Sequence, residues 1–185
     1  NDWAGIILSN GSSGNLIGTN ADGNSDSAEG NVISGNANGI LIDGSGTTGN
    51  TIAGNLIGTD ATGTLNRGNS SDGIRVYNGA YGNTIGGTAT GAGNTIANNG
   101  RDGVRIESTA GIGNSILRNS IFSNTELGIN LVGGTENGYG VTSNDTGDSD
   151  TGANGLQNLP SITSAGAAAT SLQVQGSLNS IASRT

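Results

Sequence analysis

A glycine followed by a branched apolar residue, a variable position and a second apolar residue returns five times in this chain. The instances are Gly5-Ile6-Ile7-Leu8, Gly39-Ile40-Leu41-Ile42, Gly73-Ile74-Arg75-Val76, Gly103-Val104-Arg105-Ile106 and Gly128-Ile129-Asn130-Leu131. Their glycines lie 34, 34, 30 and 25 residues apart. Nine or ten residues after each of the first four comes a second echo, at Gly14-Asn15, Gly49-Asn50, Gly82-Asn83 and Gly113-Asn114. A third element is an asparagine followed by an Ile-centred triplet: Asn31-Val32-Ile33, Asn55-Leu56-Ile57, Asn94-Thr95-Ile96 and Asn119-Ser120-Ile121. Three short strands per unit, each bounded by Gly or Asn, describe one coil of a solenoid.

A single coil has too few apolar residues to offset the ordering of its backbone, at about 1–2 kcal/mol per residue. Stacked coils pair their strands with the coils on either side and share one column of Ile, Val and Leu. Alternation along the strands sends Ile6 and Leu8, Ile40 and Ile42, Ile74 and Val76, Val104 and Ile106, and Ile129 and Leu131 to that interior. The expected fold is therefore all-β, a right-handed parallel β-helix of about five coils with three short strands per coil and side loops. Residues 19–30, 59–71 and 87–93 are the expected insertions. Corner asparagines tolerate a left-handed backbone and can hydrogen-bond to one another along the axis, so a ladder is expected through Asn15, Asn50, Asn83 and Asn114.

Composition agrees with a solenoid. The 185 residues include 36 glycines, one proline and one phenylalanine, with no cysteine, methionine or histidine, a poor supply for an ordinary globular core. Cysteine-ligated metal, disulfides and thiol nucleophiles are excluded. No run approaches the roughly 18–20 apolar residues of a membrane-spanning helix, so no membrane insertion is expected. With six arginines, no lysine and a net charge of −8, nucleic acid is not an expected partner.

Two polar segments have the alternating carboxylates and amides that suit calcium, which takes six to eight oxygen ligands. In the acidic loop 142–155 the candidate ligands are Asp145, Asp148, Asp150 and Asn154. The second segment is Asn20, Asp22, Asn24 and Asp26, with Glu29 beyond. The acidic loop lacks the full calcium-loop pattern with its closing bidentate Glu, and a solvated polar linker is the competing reading; the second segment shows similar spacing in the first inserted loop.

Arg75 and Arg105 occupy equivalent positions between inward residues, so they should point outward one above the other, about 4.8 Å apart. Asp72 and Asp102 precede them in matching places, and Tyr77 lies just beyond. Such a face has the groups to grip an acidic polysaccharide or a cell-surface glycan, guanidinium to carboxylate, with Tyr77 on a sugar ring. The competing reading is that Asp and Arg neutralise each other on a wet face. Catalysis would have to rest on Asp72 and Asp102 alone, because no third acid falls in register with them and no Lys, His or Cys is present.

Three runs resemble the parallel β-helix repeat proteins of the pectin-lyase-like superfamily, especially large bacterial surface or secreted proteins. They are Gly54-Asn55-Leu56-Ile57-Gly58-Thr59-Asp60-Ala61-Thr62-Gly63-Thr64, Asn83-Thr84-Ile85-Gly86-Gly87-Thr88 and Gly93-Asn94-Thr95-Ile96-Ala97-Asn98-Asn99-Gly100. The resemblance spans about Trp3 to Val132. It implies a secreted or cell-surface location and a non-catalytic scaffold or adhesive segment of a larger exported protein; the alternative is a fragment of a polysaccharide-processing enzyme of lyase or glycosidase type. It also implies a junction at Leu156-Gln157-Asn158-Leu159-Pro160. The expected organisation is a β-helix over 1–158 and a tail over 159–185, either the start of a truncated β-sandwich or a strand on the last coil. Open strand edges at the ends of the stack make an edge-to-edge dimer a further expectation.

Overall fold

The computed structural model describes residues 2–168 and 171–180. The first coil holds β1 (Ala4–Leu8), β2 (Leu16–Gly18) and β3 (Val32–Ile33), and the second β4 (Asn38–Asp43), β5 (Thr51–Ala53) and β6 (Leu56–Ile57). The third holds β7 (Ile74–Tyr77), β8 (Thr84–Gly86) and β9 (Thr95–Ala97), and the fourth β10 (Val104–Ile106), β11 (Ser115–Leu117) and β12 (Ser120–Phe122). β13 (Ile129–Leu131) opens a fifth. Equivalent strands pair in parallel to give three sheets, ordered β1-β4-β7-β10-β13, β2-β5-β8-β11 and β3-β6-β9-β12. The chain is thus a right-handed parallel β-helix, with the hand usual for parallel crossovers. Register follows the repeat: Ile40 sits between Ile6 and Ile74, and Val104 between Ile74 and Ile129.

The interior is a column of Ile40, Ile42, Ile52, Ile57, Ile74, Val76, Ile85, Ile96, Val104 and Ile106, all fully buried. The repeated glycine is required by close approach. A Cβ on Gly73 would stand 2.6 Å from the Gly103 carbonyl oxygen, 2.7 Å from Ile96 Cγ2 and 2.8 Å from Asn99 Nδ2. Gly103 would meet the Gly128 oxygen and Ile121 Cγ2 at 2.6 Å each. At Gly128, with no strand paired beyond it, the nearest atom is Ile121 Cγ2 at an ordinary 3.5 Å.

Three asparagine columns run along the corners, two more than the one ladder expected. In the expected one, Asn15, Asn50 and Asn83 each donate both backbone N–H and Nδ2–H to the Oδ1 of the next asparagine, ending at Asn114. Asn31, Asn55, Asn94 and Asn119 form the second. Asn36, Asn69, Asn99 and Asn124 form the third. Buried members also donate to main-chain carbonyls of the preceding coil, such as Asn83 Nδ2 to the Thr47 oxygen. Their amides are therefore satisfied without water.

The insertions project where the spacing expects them, and the first contains a short helix, α1 (Asp26–Glu29). Past β13, a tight turn at Ala153–Leu156, left-handed at Asn154, Gly155 and Leu156, folds back over the carboxy-terminal mouth. Its Asn154 Oδ1 accepts the Asn114 N–H at 3.0 Å, which is the place the next coil's asparagine would take, and Ala153 and Leu156 join the core. The tail forms β14 (Ser161–Ala168) and β15 (Ser171–Ser177), which pair antiparallel with each other rather than with β13. The tail's residues 169, 170 and 181–185 lie outside the described residues.

Candidate functional site

The face that the sequence singles out is the outer side of β7 and β10. Arg75 and Arg105 are register partners there. The next coil places Asn130 in the same row. Arg105 is held twice: Nη1 donates to Asp102 Oδ2 at 2.8 Å and Nε to Glu107 Oε1 at 2.8 Å. Burial works against its charge, but the hydrogen bonds and charges of Glu107 and Asp102 outweigh that and hold the guanidinium above its ordinary value. Glu107 also takes Arg75 Nη2 at 2.6 Å. Burial pushes the Glu107 carboxyl up, but Arg105 and then Arg75 hold it below the usual carboxylate range. Glu107 is the residue that sequence reasoning missed; its place two residues after Arg105, on the same face of the strand, was the available signal.

Arg75 lies over the Tyr77 ring, 5.4 Å from its centroid, a cation–π arrangement that covers the ring's face. Burial, then the nearby Asp43 carboxylate, raises the Tyr77 hydroxyl pKa, with Arg75 opposing.

Asp72 and Asp102 are both fully buried and stacked. Asp72 accepts the Asp102 N–H on Oδ1 at 3.2 Å, and Asp102 accepts the Leu127 N–H at 2.9 Å on its own Oδ1. Asp102 Oδ2 also takes Asn130 Nδ2 at 3.0 Å. Asp72 Oδ2, by contrast, is buried without a hydrogen-bond partner, as are Arg75 Nε and Asn130 Oδ1. Burial raises the Asp72 carboxyl above the usual range; the Asp102 N–H pulls it back and the Asp102 charge adds to the rise. So arranged, these two acids serve the backbone of the next coil and are closed to a polymer lying on the surface.

Three of the four candidate calcium ligands are engaged in the chain's own hydrogen bonds. Asp148 is buried, with Oδ1 on the Asn158 N–H and Oδ2 on the Ser180 hydroxyl. Asp145 Oδ2 accepts from Ser149, and its N–H donates to Asn158 Oδ1. Asn154 belongs to the Asn114 column. Asp150 is half-buried. In the other segment, Asp22, Asp26 and Glu29 accept the loop's own N–H groups from Asn24, Gly23 and Asn20. The Asn24 N–H foremost, with Asn20 Nδ2, keeps the Asp22 carboxyl low. Among the described residues no three acidic side chains cluster as a metal site.

A cleft of about 520 Å³ opens at the carboxy-terminal mouth, where Ile116, Leu117, Ile129 and Leu131 line it beside Asn114 and Asn154. It is the part of the interior that the turn at Ala153–Leu156 leaves uncovered. Among the described residues no helix is long and apolar enough to cross a membrane.

No family model matches this chain, and comparison with curated proteins and with solved structures gave no match either.

Proposed function

We propose that this chain is a non-catalytic scaffold segment, a solenoid of the pectin-lyase-like kind that works by holding a fixed elongated shape at the exterior of a cell. One observation carries the reading: the acids that a catalytic face would offer are buried, and the arginines that a glycan-gripping face would offer are already paired with a carboxylate of the chain. Asp72 and Asp102 are buried, and Arg75 and Arg105 share Glu107. The resemblance of the coil runs to surface and secreted repeat proteins supports the same reading. An acidic glycan on that face would have to compete with Glu107 and Asp102 for guanidiniums already paired.

The test is to incubate the chain with pectate, alginate and neutral glycans, with and without calcium, and to assay reducing ends and unsaturated products. A glycan array and a melting curve with and without chelator complete it. The expected result is no product, no retained glycan and an unchanged melting temperature. Repeated product release that is lost on Asp102→Asn would replace this reading with the enzymatic one.

A further inference from the structure

The third and fourth coils carry the same motif, Asp-Gly-β-branched-Arg, in register. In the fourth, Asp102 and Arg105 close on each other. In the third, Arg75 turns to Glu107 of the following coil, and the Asp72 oxygen that the ion pair would have used is left buried and unpartnered. One coil earlier the same column holds a neutral residue, Asn38, whose Oδ1 accepts the Asp72 N–H at 3.3 Å just as Asp72 accepts that of Asp102. The hydrogen-bonding role at this position therefore needs one oxygen and no charge. A carboxylate there carries a second oxygen, sealed from water, with nothing to receive it.

We infer that Asp72 is a buried proton-binding site, and that taking up a proton there tightens the junction between the third and fourth coils. The neutral acid keeps Oδ1 for the Asp102 N–H, and its hydroxyl removes the charge that Oδ2 cannot satisfy. The charged groups around it all belong to the fourth coil: Asp102, whose carboxylate repels it, and Arg101 and Arg105, which attract it. Arg105 is held by Asp102 and Glu107, and Arg101 reaches Glu126 at 3.4 Å. From the second coil the facing group is the uncharged Asn38, and on its own strand Arg75 is drawn off to Glu107. Burial and the Asp102 charge both shift Asp72 toward its protonated form.

The sign follows by linkage. A carboxyl whose folded-state pKa lies above its unfolded value gives stability that is fully present below the unfolded pKa and is lost as pH rises through the folded one. Melting curves from pH 4 to pH 8 for the intact chain and for Asp72→Asn test this. The variant keeps the Asn38-like acceptor, so its advantage over the parent should grow with pH. Each 1 kcal/mol of relief should appear as about 2–4 °C in a domain of this size. Asp102→Asn should behave oppositely at neutral pH and melt lower, because it breaks a closed ion pair. Carboxyl NMR titration of the parent reads the site directly and does not depend on either variant folding. Asp72 should take its proton above the ordinary aspartate range. A titration within or below that range, or parallel melting profiles for parent and Asp72→Asn, would overturn the inference.

Discussion

The interior coils and the two ends of the stack are written in the same motif and live in different surroundings. Ile74 and Val104, in β7 and β10, are fully buried, whereas Ile129, at the same register position in β13, is 46 % exposed. Gly73 and Gly103 have no room for a methyl group, and Gly128 does. Asn83 is sealed between two coils, while Asn15 at the other end is exposed and enters its column as a donor alone. A triplet in this fold thus specifies a place in the coil, and the neighbouring coils decide what that place is worth. Stability here is a property of interfaces between repeats more than of the repeats themselves.

Paired substitutions at equivalent positions can break this comparison. The largest effect is expected from Ile74→Ala, at about 2–5 kcal/mol for a fully buried side chain in a tight core. Ile129→Ala should cost about 1 kcal/mol or less, since roughly half of its surface is already in water. Urea unfolding of the two variants checks the ratio, and equal losses would mean that the end coil is covered in solution.

Next in size is the glycine pair, which differs in sign. Gly103→Ala pushes a methyl group into the Gly128 oxygen and Ile121, an overpacking cost of about 1–3 kcal/mol. Gly128→Ala meets only an ordinary contact, and restricting the unfolded chain should make it neutral or stabilising by up to about 1 kcal/mol. Thermal melting of both distinguishes steric need from mere repetition of the motif.

The smallest contrast is in the asparagines. Asn83→Ala strips the Asn50 N–H and Nδ2 of their acceptor inside the protein, at about 1–3 kcal/mol for a buried unsatisfied group. Asn15→Ala removes one exposed donor and should change stability by about 0.5 kcal/mol or less. Amide hydrogen exchange at Asn50 offers a sharper reading than the melt, because its protection should fall only in the first variant.

The comparison also marks how far the sequence was legible. The glycine-led triplets, the insertions and the Asn15 column could be read directly, because a solenoid repeats its physics at a regular offset. Two further columns, through Asn31 and through Asn36, have their members in plain view and follow the same rule. Other features depend on what lies one coil away. Arg75 leaves Asp72 because Glu107 stands 32 positions later and a strand's width above. Asn154 and Leu156 cap the mouth without belonging to any repeat, so periodicity gives no sign of them. Asn154 is bound to Asn114, and Asp145 and Asp148 to Asn158, partners that the spacing of the acidic loop does not announce.

All three asparagine columns hand their hydrogens the same way, from an earlier coil to the oxygen of a later one. Their first members among the described residues, Asn15, Asn31 and Asn36, give hydrogens forward and accept none from another asparagine, so this stack of coils is a vector with unlike tips. Two such rods laid tip to tip can continue these columns only when they point in the same direction. Turned to face each other at their leading tips, they would bring oxygen against oxygen in every corner.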